Sequence, residues 1–245
     1  MLFGESDRRQ MCGTRSITLV TEIRAVGFDL DGTLFDHLGS ATDGVNVFLR
    51  YLGVEPSDAV RAVWFAAEET GFERWRTGQI SFQEQRRYRL ETVLPALGVA
   101  LPDGADDLDR LFEEYLREYR GAWRAFSDAA RVLTELRSRG VQVGILTNGR
   151  QGQQVAKLRA IGLYEQIDFV LTAEALGVWK PDRSAFDALA GQFGAAPDEC
   201  LFVGDHPEQD IAGALAAGMS AVLIDHYADD TAGLEPVLDY LGVAR

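Results

Sequence analysis

Short continuous apolar runs punctuate the chain, each followed by turn residues and then by a helical repeat. They cover residues 25–30, 141–146, 168–171, 200–203 and 221–224. Unbroken apolar character, without polar alternation, predicts strands covered on both faces, as in a parallel sheet. The segments between them carry helical periodicity. Ser127 and Asp128 offer an N-cap ahead of Val132, Leu133 and Leu136, with Gly140 at the stop. Asp182 precedes Phe186, Leu189, Ala190 and Phe193, an i, i+3, i+4, i+7 face closed by Gly194. Ile211, Ala214, Leu215 and Gly218 repeat the pattern. Strand and helix in alternation predict a doubly wound, Rossmann-like α/β fold with a parallel sheet and right-handed crossovers.

One connection breaks this rhythm. From residue 37 to 124 the signals are helical only. Val45, Phe48, Leu49 and Leu52 make one face, Phe82, Leu90, Val93 and Leu94 a second, and Leu108, Leu111, Phe112, Tyr115 and Tyr119 a third. So long a connection exceeds a crossover helix, which predicts an all-helical inserted subdomain. Gly53, Gly78, Pro95, Pro102 and Gly104 read as its joints. The expected organisation is an N-terminal extension at 1–21, an α/β core from 22–36 and 125–245, and a helical insertion at 37–124.

Composition narrows the function. The chain has 245 residues, 47% of them hydrophobic, and no run long enough for a membrane span. Its first twenty residues are polar and lack the apolar core of a signal peptide. With 24 basic and 38 acidic residues the formal charge is −14, which argues against a nucleic-acid partner. A small anionic substrate stays compatible, because a local site can oppose the global charge. The two cysteines, Cys12 and Cys200, form no metal-like cluster, and a cytoplasmic location is expected.

The polar residues that end the strands converge. In an open α/β sheet, ligands bind beyond the carboxyl ends of the strands. The first run delivers Asp29 and Asp31, the second Thr147 and Asn148, the fourth Asp205, with Asp210 five residues on; Lys180 follows the third run. Asp29, Asp205 and Asp210 can hold a hard divalent cation such as Mg²⁺, relieving their mutual repulsion. A carboxylate beside a bound phosphate can attack it, and a second acid two residues on can move protons. Thr147 and Lys180 suit phosphate oxygens.

The segments DLDGT, LTNG, KPD and GDHPEQD, in that order, resemble the four motifs of the haloacid dehalogenase superfamily, and the helical insertion resembles that family's cap. The resemblance spans roughly residues 25–225. It implies that Asp29 is the nucleophile and that Asp31 is the general acid/base, whose carbonyl also meets Mg²⁺. It implies that Thr147, Asn148 and Lys180 hold the phosphoryl group, and that Asp205 and Asp210 serve the metal. The implied activity is Mg²⁺-dependent hydrolysis of a small phosphorylated metabolite through an aspartyl-phosphate, in the branch of nucleotidases, sugar phosphatases and phosphoglycolate phosphatases. The family also holds 2-haloacid dehalogenases, phosphomutases and non-catalytic relatives. Asp31 favours phosphoester chemistry, since a departing halide needs no acid while an alkoxide does.

Several residues also have plainer readings. Asp36 and Asp210 suit helix caps. Arg74, Arg76, Arg86, Arg87 and Arg89 read as a solvated helix face with one or two members turned to a cleft. Trp64, Phe65, Phe72, Trp75, Tyr88, Tyr115 and Trp123 read as the insertion's own core. His37 lies where the insertion is joined, His206 reads as a loop residue, and His226 has no evident partner.

Overall fold

The computed structural model describes residues 22–228 and 233–242. The expected N-terminal extension, with Cys12, lies outside the described residues. Five parallel strands form one sheet: β1 (Ala25–Phe28), β2 (Gln142–Thr147), β3 (Phe169–Thr172), β4 (Cys200–Gly204) and β5 (Ser220–Leu223), in the order β3-β2-β1-β4-β5. This is the doubly wound α/β arrangement that the apolar runs predict, with strand ends within about two residues of expectation.

The strands alternate between two apolar layers even though both faces are covered. Val26, Phe28, Val143, Ile145, Leu201 and Val203 face one cluster; Ala25, Leu146, Cys200 and Phe202 face the other. Gly27 sits where a Cβ would lie 2.5 Å from Leu189, so its missing side chain lets a helix pack flush on the central strand.

Four consecutive helices separate β1 from β2: α1 (His37–Tyr51), α2 (Asp58–Arg76), α3 (Phe82–Ala96) and α4 (Ala105–Gly121). The sequence reading recognised three of them; α2 escaped it because only Trp64, Ala67 and Gly71 of its 19 residues are buried. Pro95, expected at a joint, instead lies in the last turn of α3. Trp64 is fully buried, with the Tyr115 ring 4.6 Å away and Phe112 stacked on it at 6.3 Å. Phe72 and Trp75 do not join this core. They pack against Trp179 of the α/β part, with ring centroids at 6.3 and 4.8 Å.

The chain leaves β1 and returns to β2 along adjacent paths. Phe126 N donates to Leu34 O at 3.1 Å, and Asp36 N donates to Arg124 O at 3.1 Å. Asp36 caps α1 by accepting from Gly39 N at 2.8 Å, as expected, and also accepts from Arg124 Nε at 2.7 Å.

After β2 come α6 (Gln151–Ala160), α7 (Ala173–Leu176), α8 (Arg183–Phe193), α9 (Gly213–Ala217) and α10 (Glu235–Tyr240), with α5 (Ala129–Ser138) just before it. Asp182 caps α8 through Ser184 N. Asp128 makes no such cap on α5: its carboxylate accepts from Leu234 N at 2.6 Å, tying the C-terminal segment down instead. Leu215, placed by periodicity on a buried face, is 57% exposed, because residues 207–212 wind as a π-helix and shift the register of the turn that follows. No helix among the described residues is long and apolar enough to cross a membrane.

Candidate active site

The sheet order reverses direction between β1 and β4, so the loops leaving these neighbours part and open a crevice at their carboxyl ends. Asp29 directly follows β1, and Asp205 directly follows β4. Asp29 N donates to Val203 O at 2.8 Å, which fixes the two loops against each other. Gly32, at φ +88°, lets the first loop turn within reach of the second: a Cβ there would lie 2.1 Å from Asp205 Oδ2. Gly204 is equally constrained, since its Cβ would meet Asp210 Oδ2 at 2.3 Å.

Lys180 crosses this crevice almost wholly buried and donates from Nζ to Asp29 Oδ1 and Asp210 Oδ1, both at 2.6 Å. Asn148 holds its backbone, accepting from Lys180 N at 2.8 Å and donating to Lys180 O at 3.1 Å. Asp210 is therefore no helix cap. It lies within the π-helical turn and spends one oxygen on Lys180 and the other on His206 N at 3.0 Å. His206 itself caps that turn, Nδ1 accepting from Glu208 N and Gln209 N.

One oxygen from each of Asp29, Asp205 and Asp210 can lie within 4.8 Å of the other two. Burial drives the Asp29 carboxyl well above its ordinary pKa; Lys180 opposes this, and the charges of Asp210 and Asp205 add to it. Burial, then Asp210, likewise pushes Asp205 to about 6. Lys180 is disfavoured as a cation by burial, but its two carboxylate partners outweigh that and raise it. One lysine among three acids leaves surplus negative charge. An all-oxygen donor set with that surplus fits a hard divalent cation.

Asp31 stands on the opposite side, half-buried. It accepts from Lys157 Nζ at 2.5 Å and from Gln154 Nε2 at 2.8 Å. Burial would raise its pKa, but Lys157, His37 and these hydrogen bonds outweigh it and hold it at about 2. Gln154 also donates to Thr147 Oγ1 at 2.8 Å, so one amide links the ends of β1 and β2. Sequence reasoning missed both Gln154 and Lys157. They sit on a polar helix without a motif, and only their burial, 1% and 2% exposed, sets them apart.

Above these residues opens a cavity of about 880 Å³, floored by Asp29, Asp31, Thr147 and Lys180 and roofed by α2, α3 and α4. His37 lines it, its Nδ1 3.0 Å from Tyr119 OH and 3.9 Å from Asp31. His226 points elsewhere, stacked on Phe126 at 3.4 Å with Nε2 2.8 Å from Thr33 O. The arginines expected as a solvated face divide. Arg87 pairs outward with Asp109, whereas Arg74, Arg76, Arg86 and Arg89 all line the cavity, more than the one or two expected, with Arg89 bonded to Glu68 at 2.8 Å.

The model of the haloacid dehalogenase-like hydrolases matches residues 23–218. The chain belongs to that family. As a family member it is a hydrolytic enzyme. It is 30% identical to the phosphoglycolate phosphatase of Rhodospirillum rubrum over 83% of this chain and 80% of that one. It is 33% identical to the ribulose-1,5-bisphosphate 5-phosphatase of Halopiger xanaduensis, over 82% and 84%. Among solved structures, a dehalogenase in an intermediate complex is 27% identical, with a TM-score of 0.67 over 86% of this chain and 88% of that one.

Proposed function

We propose that this haloacid dehalogenase-like hydrolase is a Mg²⁺-dependent phosphatase of small phosphorylated metabolites, with Asp29 as nucleophile and residues 37–124 as its cap. The observation that carries this reading is Lys180 bridging Asp29 and Asp210 beside Asp205, on the floor of a cavity that α2, α3 and α4 roof. The names of the two phosphatase relatives support the substrate class.

The residues divide the work. Asp29, Asp205 and the loop carbonyl of Asp31 would hold the metal, with Asp210 supporting them through Lys180. Bound there, the cation would neutralise phosphoryl charge and keep Asp29 ionised. Lys180, Thr147 and the backbone amide of Asn148 bind the phosphoryl oxygens and orient phosphorus in line with an Asp29 oxygen. Asp29 attacks, the P–O bond to the alcohol breaks, and an aspartyl-phosphate forms on Asp29. Asp31 relays to the leaving oxygen a proton that the phosphoester monoanion brings in. As the anion that Lys157 favours, it then takes a proton from the water that attacks phosphorus and passes it to the departing phosphate, with Asp29 restored. The aromatic roof excludes bulk water during both steps.

Dehalogenase chemistry is the second reading, since a dehalogenase stands among the structural relatives. The presence of Asp31 two residues after Asp29 disfavours it, because halide departs without needing a proton carrier there. A panel of phosphomonoesters with and without Mg²⁺, run beside 2-haloacids, decides. Metal-dependent phosphate release that Asp29→Asn abolishes is expected; metal-independent halide release would overturn the proposal.

A further inference from the structure

A second cavity of about 300 Å³ lies between α3, α4 and the start of α6, beside the first. Phe82, Arg86, Leu116, Tyr119, Arg150 and Gln153 line both, and Arg86 and Arg150 line the first together with Asp29 and Lys180, so one molecule in that cavity can face both ends. Among the described residues, three guanidiniums line the smaller cavity, those of Arg86, Arg120 and Arg150, and no carboxylate does. In a chain of net charge −14 this concentrates positive charge at one place.

Each has a carboxylate nearby, and Arg86 and Arg120 share Glu113, so two carboxylates face three guanidiniums. Arg120 Nη1 bonds Glu113 at 3.3 Å, and Arg150 Nε bonds Glu174 at 2.7 Å. Arg86 reaches Glu113 only at 3.8 Å, beyond hydrogen-bond range, and is 17% exposed. Its guanidinium instead lies over the Phe82 ring at 4.8 Å, and Arg150 covers the same ring at 4.7 Å. Each guanidinium has five N–H donors, so most remain available. Burial lowers the Arg86 pKa, and the nearby charges of Arg120, Arg89 and Arg150 lower it further while Glu113 opposes them. Such like charges held together on aromatic supports fit a bidentate anion.

We infer that Arg86, Arg120 and Arg150 take the non-reacting anionic group of the substrate, a carboxylate or a second phosphate on the alcohol portion. This deepens the phosphatase reading and rests on it. The preferred substrates are phosphomonoesters with two separated anionic ends; Tyr119 and Leu116 line both cavities.

Matched pairs test the subsite. 3-Phosphoglycerate against glycerol 3-phosphate gives the carboxylate arm, and fructose 1,6-bisphosphate against fructose 6-phosphate the phosphate arm. In at least one pair, kcat/KM should favour the doubly anionic member about tenfold or more. Arg86→Gln and Arg120→Gln should each shrink that ratio about tenfold, mainly through KM, with Arg86→Lys in between. Thermal melts confirm that each variant is folded, and Arg120→Gln serves if Arg86→Gln is not. A wild-type ratio near one in both pairs, or equal losses on both members, overturns the subsite. Calorimetric binding of the same pairs to Asp29→Asn separates the two readings. Preferential binding without wild-type turnover keeps the subsite and sinks the phosphatase; turnover without preference does the reverse.

Discussion

Lys157 donates to Asp31 across 2.5 Å from a position only 2% exposed, with its ammonium 4.6 Å above the Phe35 ring. A lysine so enclosed has one function-bearing neighbour, and it sets that neighbour's charge. Lys157→Met leaves Asp31 half-buried without its cation, so the carboxyl takes up protons at higher pH. We expect kcat to fall about a hundredfold, the scale of a lost acid–base contribution. The acid limb of the pH–rate profile should move upward. Lys157→Arg should recover part of the rate. Stopped assays across pH check both, and a variant within twofold of wild type at every pH would remove Lys157 from the mechanism.

Metal dependence has a pH signature of its own. Asp205 is pushed to about 6 by burial and by Asp210. A protonated carboxyl is a poor ligand, so protons compete with the cation below that value and not above it. The Mg²⁺ concentration for half-activity should rise up to about tenfold per pH unit below 6 and level off above 7. Mg²⁺ at a hundred times its dissociation constant should stabilise the protein by about 2.7 kcal/mol. In thermal melts at pH 7, Asp205→Asn should lose most of that shift. A midpoint flat from pH 5 to 8 would contradict this assignment.

The strand ends and the rim were legible because each apolar run stops at a chemically distinctive residue. Asp29, Thr147 and Asp205 directly follow or end three neighbouring strands, so topology alone gathers them. Lys157 and Gln154 were not legible, because QGQQVAKLRA reads as a solvated helix until the fold turns one face onto Asp31. The cap arginines misled for the opposite reason. Their density suggests a wet surface, yet Arg89 is buried by Trp64 and Phe112, whose rings lie 5.4 Å from its guanidinium. Helix α2 was invisible because its charged cavity face breaks the apolar stripe.

The α1–α4 interface gives a test of stability independent of chemistry. A Cβ on Gly44 would lie 2.7 Å from Tyr119 Cα and 2.8 Å from Tyr119 N. Backbone atoms cannot swing aside as a side chain can, so the helices must separate. Gly44→Ala should cost about 1–3 kcal/mol. Its own better helix propensity offsets less than about 1 kcal/mol of this. Urea denaturation monitored by circular dichroism measures the loss. An unchanged midpoint would mean that α1 and α4 are not packed this closely.

Lys180 yields the sharpest separation of roles, because its removal should move two readouts in opposite directions. Its ammonium neutralises Asp29 and Asp210 at 2.6 Å each. In Lys180→Met both carboxylates face each other uncompensated, and breaking such a buried pair costs about 3–5 kcal/mol unless they take up a proton. Turnover should fall by at least about a thousandfold, since the phosphoryl oxygens lose their fixed cation. Stabilisation by Mg²⁺ should instead grow, because the ion then relieves repulsion that Lys180 relieves in the native protein. Melting temperatures with and without Mg²⁺, taken beside the rate, give both numbers. If Lys180 merely props the loop, the metal-induced shift will shrink along with the activity, since a collapsed loop would misplace Asp29 and Asp210 together.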